Sequence, residues 1–195
     1  MVKPVFVYGT LRVGQSNHHI IESQLVRAVP AVIKGDLYHL PQQGYPAVIL
    51  DGAGFVYGEI MDFYDFEQAL SDMDRLEGYE GPNHSLNLYD RVTISAAAVG
   101  PGVKEFPNSD QTGKPSESSE HGLAYSNHDM EVHPQNPIDT LAQECYVYVF
   151  SPNRVPWLRA NATKVEGGDW VEFIGERHKR REVHEGQVDQ EKSQE

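Results

Sequence analysis

The 195-residue chain carries 16 basic against 29 acidic side chains, a formal net charge of −13, 39% hydrophobic residues and a single cysteine. That length suits one compact domain with extensions, burying roughly 70% of its unfolded surface, and a lone Cys145 excludes both an intrachain disulfide and a four-thiolate zinc site. A reducing, cytoplasmic setting follows as the expectation, and the acidic balance argues against nucleic acid and anionic membrane as partners.

The opening residues Met1 to Thr10 hold an apolar run too short for a secretory signal, and no transmembrane span is expected. Segments 5–8, 25–33, 35–40, 45–50, 54–62, 86–97, 144–150 and 170–174 carry β-branched and aromatic residues between Gly, Pro and Asp punctuation, and these are the predicted strands. Between them, 16–23 predicts a short helix. Residues 65–78 predict a better one, capped by Asp65 and stopped by Gly78. Residues 101–137 contain five prolines and clustered Ser, Asn and Glu, which predicts a mobile insertion. From Glu176 onward acidic, basic and Gln residues alternate, so Arg177, Lys179, Arg180 and Arg181 read as part of a solvated end. The expected organisation is one domain over 1–175, interrupted at about 101–137, followed by a charged polar tail over 176–195. Strands that do not alternate regularly with helices give an α+β class: a small mixed, barrel-like β-sheet with flanking helices.

The second predicted helix holds the most informative side chain. At about 100° per residue, Phe66, Ala69, Leu70, Met73 and Leu76 share one side, and Glu77 projects about 20° from Phe66, within that apolar stripe. A carboxylate there loses solvation, which raises its pKa toward the range useful for proton transfer. Glu77 is therefore a candidate general base, although a carboxylate in the last helical turn can also reach solvent or pair with an arginine.

Strand 5–8 runs into Gly9 and Thr10. Glycine lets backbone approach a ligand closely, and consecutive N–H groups of a turn can form an anion-binding nest. The segment is neither a Walker loop nor a dinucleotide fingerprint. Taken alone it is also compatible with an ordinary strand-to-loop turn.

Several motifs in order carry a more specific message: Tyr8-Gly9-Thr10-Leu11-Arg12 followed by Gly14 and Asn17-His18; Gly44-Tyr45-Pro46-Ala47-Val48; Tyr57-Gly58-Glu59; Asp74-Arg75-Leu76-Glu77-Gly78-Tyr79; Tyr89-Asp90-Arg91; and Gly168-Asp169-Trp170. Together they resemble the gamma-glutamylcyclotransferase, or AIG2-like, family. The resemblance covers Val5 to about Val99 and resumes from Glu144 to about Trp170. It implies a small β-barrel-like fold, a substrate loop at Tyr8, Gly9, Thr10 and Leu11, and a catalytic glutamate at Glu77. The implied reaction cleaves a gamma-glutamyl amide by attack of its own α-amine, releasing 5-oxoproline and an amine or amino acid, a lyase-type acyl transfer. Neither metal nor organic cofactor is required by such chemistry, and the implied partner is a small-molecule gamma-glutamyl substrate.

Within that frame the N–H groups of Gly9, Thr10 and Leu11 could hold either the substrate α-carboxylate or the developing oxyanion. Tyr8, Tyr45 and Tyr89 are candidate pocket walls, or core residues with one hydrogen-bonded tip. Period-two alternation puts Glu59 on a strand face with Phe55, Tyr57, Met61 and Phe63, as a second substrate-binding acid or as a paired structural carboxylate. His18 and His19 border the glycine loop and are expected to pack or cap there, with orienting of the substrate as the alternative for His18, whereas His121, His128 and His133 lack a metal-ligand pattern. Cys145 is expected to be buried and inert. The alternative function is a non-catalytic module that binds a small molecule in the same pocket. Nothing in the sequence sets an oligomeric state.

Overall fold

A computed structural model describes residues 3–99 and 142–180. Its strands are β1 (Val5–Val7), β2 (Leu25–Lys34), β3 (Asp36–Leu40), β4 (Tyr45–Ile49), β5 (Phe55–Phe63), β6 (Tyr89–Ala98), β7 (Ala142–Phe150) and β8 (Thr163–Lys164). Five of them close a barrel in the order β1-β5-β2-β6-β7, and β4-β3-β8 form a separate three-stranded sheet. The barrel pairings are antiparallel except β1 with β7, which run parallel.

Alternation along the strands sorts side chains into two cores. Phe6, Ala31, Ile33, Val56, Ile60, Ala96, Cys145, Val147 and Val149, drawn from all five barrel strands, pack in one cluster. Val5, Val7, Met61, Tyr148 and Phe150 face the other way and pack with Ala69, Leu70 and Met73. Those last three form the buried side of α1 (Phe66–Glu77), whose N-cap is Asp65, the carboxylate of which accepts the Gln68 N–H at 3.2 Å. Gly78 ends α1 in the left-handed region at φ 63°, a conformation with little steric cost only for glycine. The predicted helix over 65–78 is thus observed with both of its caps.

Two expectations are corrected and one helix is added. Residues 16–23 form two 3-10 turns, His18–Ile20 and Glu22–Gln24, rather than one helix. A second helix, α2 (Val155–Asn161), follows a 3-10 turn, and the sequence had not suggested it. Residues 170–174, predicted as a strand, belong instead to α3 (170–180). The Asp169 carboxylate starts that helix by accepting the N–H groups of Val171 at 2.9 Å and Glu172 at 3.3 Å. Trp170, Phe173 and Ile174 recur at helical spacing and pack with the Phe6 and Val147 cluster, so a short β-branched and aromatic run served one helix face. Since α3 extends through residue 180, the first residues of the expected polar tail, 176–180, are helical and exposed. The expected insertion at about 101–137 and the tail beyond 180 lie outside the described residues, as do His121, His128 and His133.

Candidate functional site

Where β1 ends, the chain turns away from the barrel through residues that close a loop on themselves. The Asn17 N–H donates to the Thr10 carbonyl at 2.9 Å, the Asn17 side chain donates to the Thr10 hydroxyl at 3.0 Å, and the His18 ring contacts the Leu11 carbonyl at 3.0 Å. His18 is buried in this role as a cap. None of the N–H groups of Gly9, Thr10 and Leu11 donates to a protein acceptor among the described residues. A Cβ at Gly9 would stand 2.3 Å from Pro46 Cγ, so glycine is required here by the close passage of β4. Gly9 is absent from the positive-φ residues, so the need for glycine is steric rather than conformational.

The loop forms one wall of a cavity of about 230 Å³. Tyr8, Gly9, Thr10, Leu11 and Asn17 come from the loop, Tyr45 and Pro46 from β4, Leu76 and Glu77 from the end of α1, and Leu88, Tyr89 and Tyr148 complete it. Seven of the eight residues singled out from the sequence, Tyr8, Gly9, Thr10, Leu11, Tyr45, Glu77 and Tyr89, therefore meet at one place. Glu59 does not. Its carboxylate accepts the Val13 N–H at 2.9 Å and lies 3.5 Å from Arg12 Nε, while Arg12 Nη1 reaches Asp169 at 2.9 Å. Glu59 is a paired carboxylate behind the loop, and the two acids share Arg12 between the loop and the start of α3.

Glu77 has no cation and no hydrogen-bond donor at its carboxylate among the described residues, and burial pushes its pKa up to about 7. Burial disfavours the ionised form because protein replaces water around the charge. The three tyrosines around it are all held above the ordinary phenol range. For Tyr8 and Tyr45 the causes are burial first and then the Glu77 charge. For Tyr89, burial leads, followed by Tyr8, Glu77 and Tyr45. They remain protonated donors at neutral pH. The Tyr8 hydroxyl donates to the Tyr148 carbonyl at 2.8 Å and the Tyr89 hydroxyl to the Pro46 carbonyl at 2.7 Å, both buried bonds. The Tyr45 hydroxyl has no such protein acceptor among the described residues, leaving it able to donate to a ligand.

The sequence did not bring out Tyr148 or Leu88. Tyr148 was legible only as part of an aromatic alternation, Tyr146, Tyr148 and Phe150, on one face of β7. Cys145 sits on the opposite face, fully buried, with burial pushing its thiol up to about 12. Among the described residues no group of three or more His, Cys, Asp or Glu could hold a metal ion, and no helix is long and apolar enough to cross a membrane.

The five-stranded barrel thus brings the Glu77 carboxylate and the glycine-bearing loop onto the walls of one concave, largely apolar cavity, the shape of a small-molecule site. The family described as gamma-glutamyl cyclotransferase, AIG2-like, matches residues 5–172, and the chain belongs to it. One curated relative, gamma-L-glutamyl-butirosin B gamma-glutamyl cyclotransferase of Niallia circulans, is 38% identical over 89 residues, which cover 45% of this chain and 54% of that protein. The chain thus spans about half the length of the curated relative it matches. Among solved structures, YkqA from Bacillus subtilis is similar at a TM-score of 0.49 and 20% identity, covering 88% of this chain and 40% of that one. An AIG2-like protein from mouse is similar at a TM-score of 0.44 and 18% identity, covering 78% and 82%.

Proposed function

We propose that this protein is a gamma-glutamylcyclotransferase that cleaves a gamma-glutamyl amide by intramolecular attack, releasing 5-oxoproline and a free amine or amino acid. The observation that carries this reading is the Glu77 carboxylate, desolvated and without a partner among the described residues, on the wall of a cavity that Gly9, Thr10 and Leu11 also line.

Cyclisation needs the substrate folded until its α-nitrogen lies about 3 to 3.5 Å from the gamma-carbonyl carbon. A bulky aromatic wall of Tyr8, Tyr45, Tyr89 and Tyr148 favours such a compact conformer over an extended one. The α-amine arrives protonated, and Glu77 accepts one of its protons, freeing the nitrogen lone pair. Attack forms the carbon–nitrogen bond of the five-membered ring and moves the carbonyl π electrons onto oxygen. Free N–H groups of the loop are suited to that oxyanion, a contribution of about 3 to 4 kcal/mol for a well-placed donor. Glu77 then returns its proton to the departing nitrogen as the oxyanion electrons re-form the carbonyl and the amide carbon–nitrogen bond breaks, and the second proton of the ring nitrogen passes to the released amine, which leaves as its ammonium ion. The carboxylate is regenerated, and no oxidant or reductant enters. Loss of the Glu77 charge would halt the first step. A reducing cytoplasmic setting is consistent with one buried cysteine.

The test is incubation of the protein with gamma-glutamyl dipeptides, glutathione, gamma-glutamyl amines and ε-(gamma-glutamyl)lysine, with detection of 5-oxoproline. Release from at least one substrate, lost in Glu77→Gln, is expected. Binding of these compounds without any release of 5-oxoproline would favour the non-catalytic binding module.

A further inference from the structure

The amide has two halves, and the Glu77 cavity, at about 230 Å³, accounts for the glutamyl one. Next to it lies a second cavity of about 360 Å³. Tyr45 and Leu88 line both, so the two spaces lie on opposite sides of the same pair of side chains. The aromatic floor is continuous as well: Tyr45 and Tyr89 have ring centroids 6.5 Å apart, and Tyr89 meets Phe150 of the second cavity edge-on at 5.6 Å. Leu40, Phe150 and Trp157 add apolar wall, and Arg154 adds the charge. Trp157 is 47% exposed, which leaves about half of a large aromatic side chain open to solvent at the rim. Among the described residues Arg154 has no carboxylate partner, unlike Arg159 on the following helix, which meets Asp51 at 2.8 Å. In a chain with a net charge of −13, a guanidinium that has no carboxylate partner among the described residues and stands beside an apolar hollow is suited to meet an anion.

We infer that this second cavity is the leaving-group subsite, and that it selects amides whose departing amine carries a bulky apolar or aromatic body together with a carboxylate. The proposal rests on the cyclotransferase reading of the first cavity. Tyr45 and Leu88 mark where the scissile bond crosses from one space to the other. Trp157, Leu40 and Phe150 receive the apolar body, and Arg154 receives the carboxylate by a charge-assisted, fork-shaped contact. A small amine leaves the hollow unfilled. A bulky amine without a carboxylate leaves Arg154 unmet.

The experiment compares gamma-glutamylphenylalanine, gamma-glutamylalanine and gamma-glutamylphenethylamine on the wild type, Trp157→Ala and Arg154→Gln, reading kcat/KM. The expected wild-type order places gamma-glutamylphenylalanine about tenfold or more above each of the others, a typical discrimination for one added apolar or ionic contact. Trp157→Ala should collapse the phenylalanine-to-alanine ratio, and Arg154→Gln the phenylalanine-to-phenethylamine ratio while sparing the first. Arg154 is exposed, so its replacement tests the subsite without endangering the core. Equal rates for all three amides, or ratios unmoved by both substitutions, overturn the subsite. If no amide is turned over, the cyclotransferase reading fails, and the subsite is judged separately by calorimetry. Binding of gamma-glutamylphenylalanine that weakens about tenfold in either variant supports it; undiminished binding, or none, overturns it.

Discussion

The Tyr148 hydroxyl donates to Asp74 Oδ1 at 2.6 Å, tying the last turn of α1 to the C-terminal part of β7 across 74 residues of sequence. Arg91 of β6 grips both oxygens of the same carboxylate at 2.6 and 2.7 Å and lies over the Tyr79 ring at 4.8 Å. Asp74 stands one turn before Glu77, and its carbonyl accepts the Tyr79 N–H at 2.9 Å. The position of the candidate base is therefore set by a partly buried network between barrel and helix. Burial, followed by the bond to Asp74, holds the Tyr148 phenol well above its usual range, so it stays a donor throughout the physiological range.

Asp74→Asn should loosen that network. Loss of an ionised acceptor in a partly buried site costs about 1 to 3 kcal/mol, and small displacements of a reacting group can cost tenfold or more in rate. Denaturant melts and steady-state kinetics should show both effects, with the acid limb of the pH–rate profile retained because Glu77 is still present. A variant that loses the limb would identify Asp74 as the proton carrier.

Gly9→Ala should be destabilising through Pro46 rather than through backbone strain. The added Cβ would lie 2.3 Å from Pro46 Cγ and 2.9 Å from Cδ, but 3.8 Å from Cβ. Overpacking of this kind costs about 1 to 3 kcal/mol. Pro46→Ala removes the two close atoms and keeps the carbonyl that Tyr89 uses, so the double variant should recover most of the loss. Additive destabilisation in the double-mutant cycle would show that the collision is not the cause.

Glu77→Gln should lower turnover by a factor of about 10² to 10⁴, the usual worth of a positioned acid or base. With a carboxyl that titrates at about 7 in the free protein, the wild-type kcat/KM should fall as pH drops through that value. Glutamine has no such proton to gain, so the residual rate of the variant should lack the limb. Near-wild-type turnover by the variant would remove Glu77 from the reaction.

The same substitution carries a stability signature with a definite sign. Folding raises the Glu77 pKa from 4.5 to about 7, so the folded state holds a proton that the unfolded state releases between those values. Its contribution to stability is fully present below about pH 4.5 and is lost as pH rises through 7, amounting to up to about 3 kcal/mol at about 1.4 kcal/mol per unit. A glutamine at this position carries no charge to bury. Relative to the wild type, Glu77→Gln should gain stability at pH 8, and the gap should narrow steadily toward pH 4.5. A gap independent of pH would mean that the carboxylate is not desolvated in the fold.

Local chemistry makes much of this protein legible in the sequence alone. Asp65 and Gly78 bracket α1 because their side chain and backbone freedom act within one helical turn, and the helical period alone placed Glu77 beside Phe66 and Met73. Seven predicted strands appear with ends displaced by three residues or fewer, since β-branched runs between turn residues depend little on distant partners. Residues 170–174 failed for the opposite reason. A short aromatic and β-branched run fits either period, and the capping carboxylate of Asp169 decided for helix.

Tertiary structure decided which acids stand alone. Glu59 and Glu77 both looked like carboxylates on apolar faces, yet only the fold brings Arg12 and the Val13 N–H to Glu59. It leaves Glu77 without a cation among the described residues while surrounding it with Tyr8, Tyr45 and Tyr89. Tyr148, Leu88 and the cavity beyond Tyr45 were equally out of reach of the sequence. A strand's alternation says which residues share a face, but the partner of that face is fixed by closure of the barrel, which sets residues 140 positions apart, such as Tyr8 and Tyr148, within a hydrogen bond of each other.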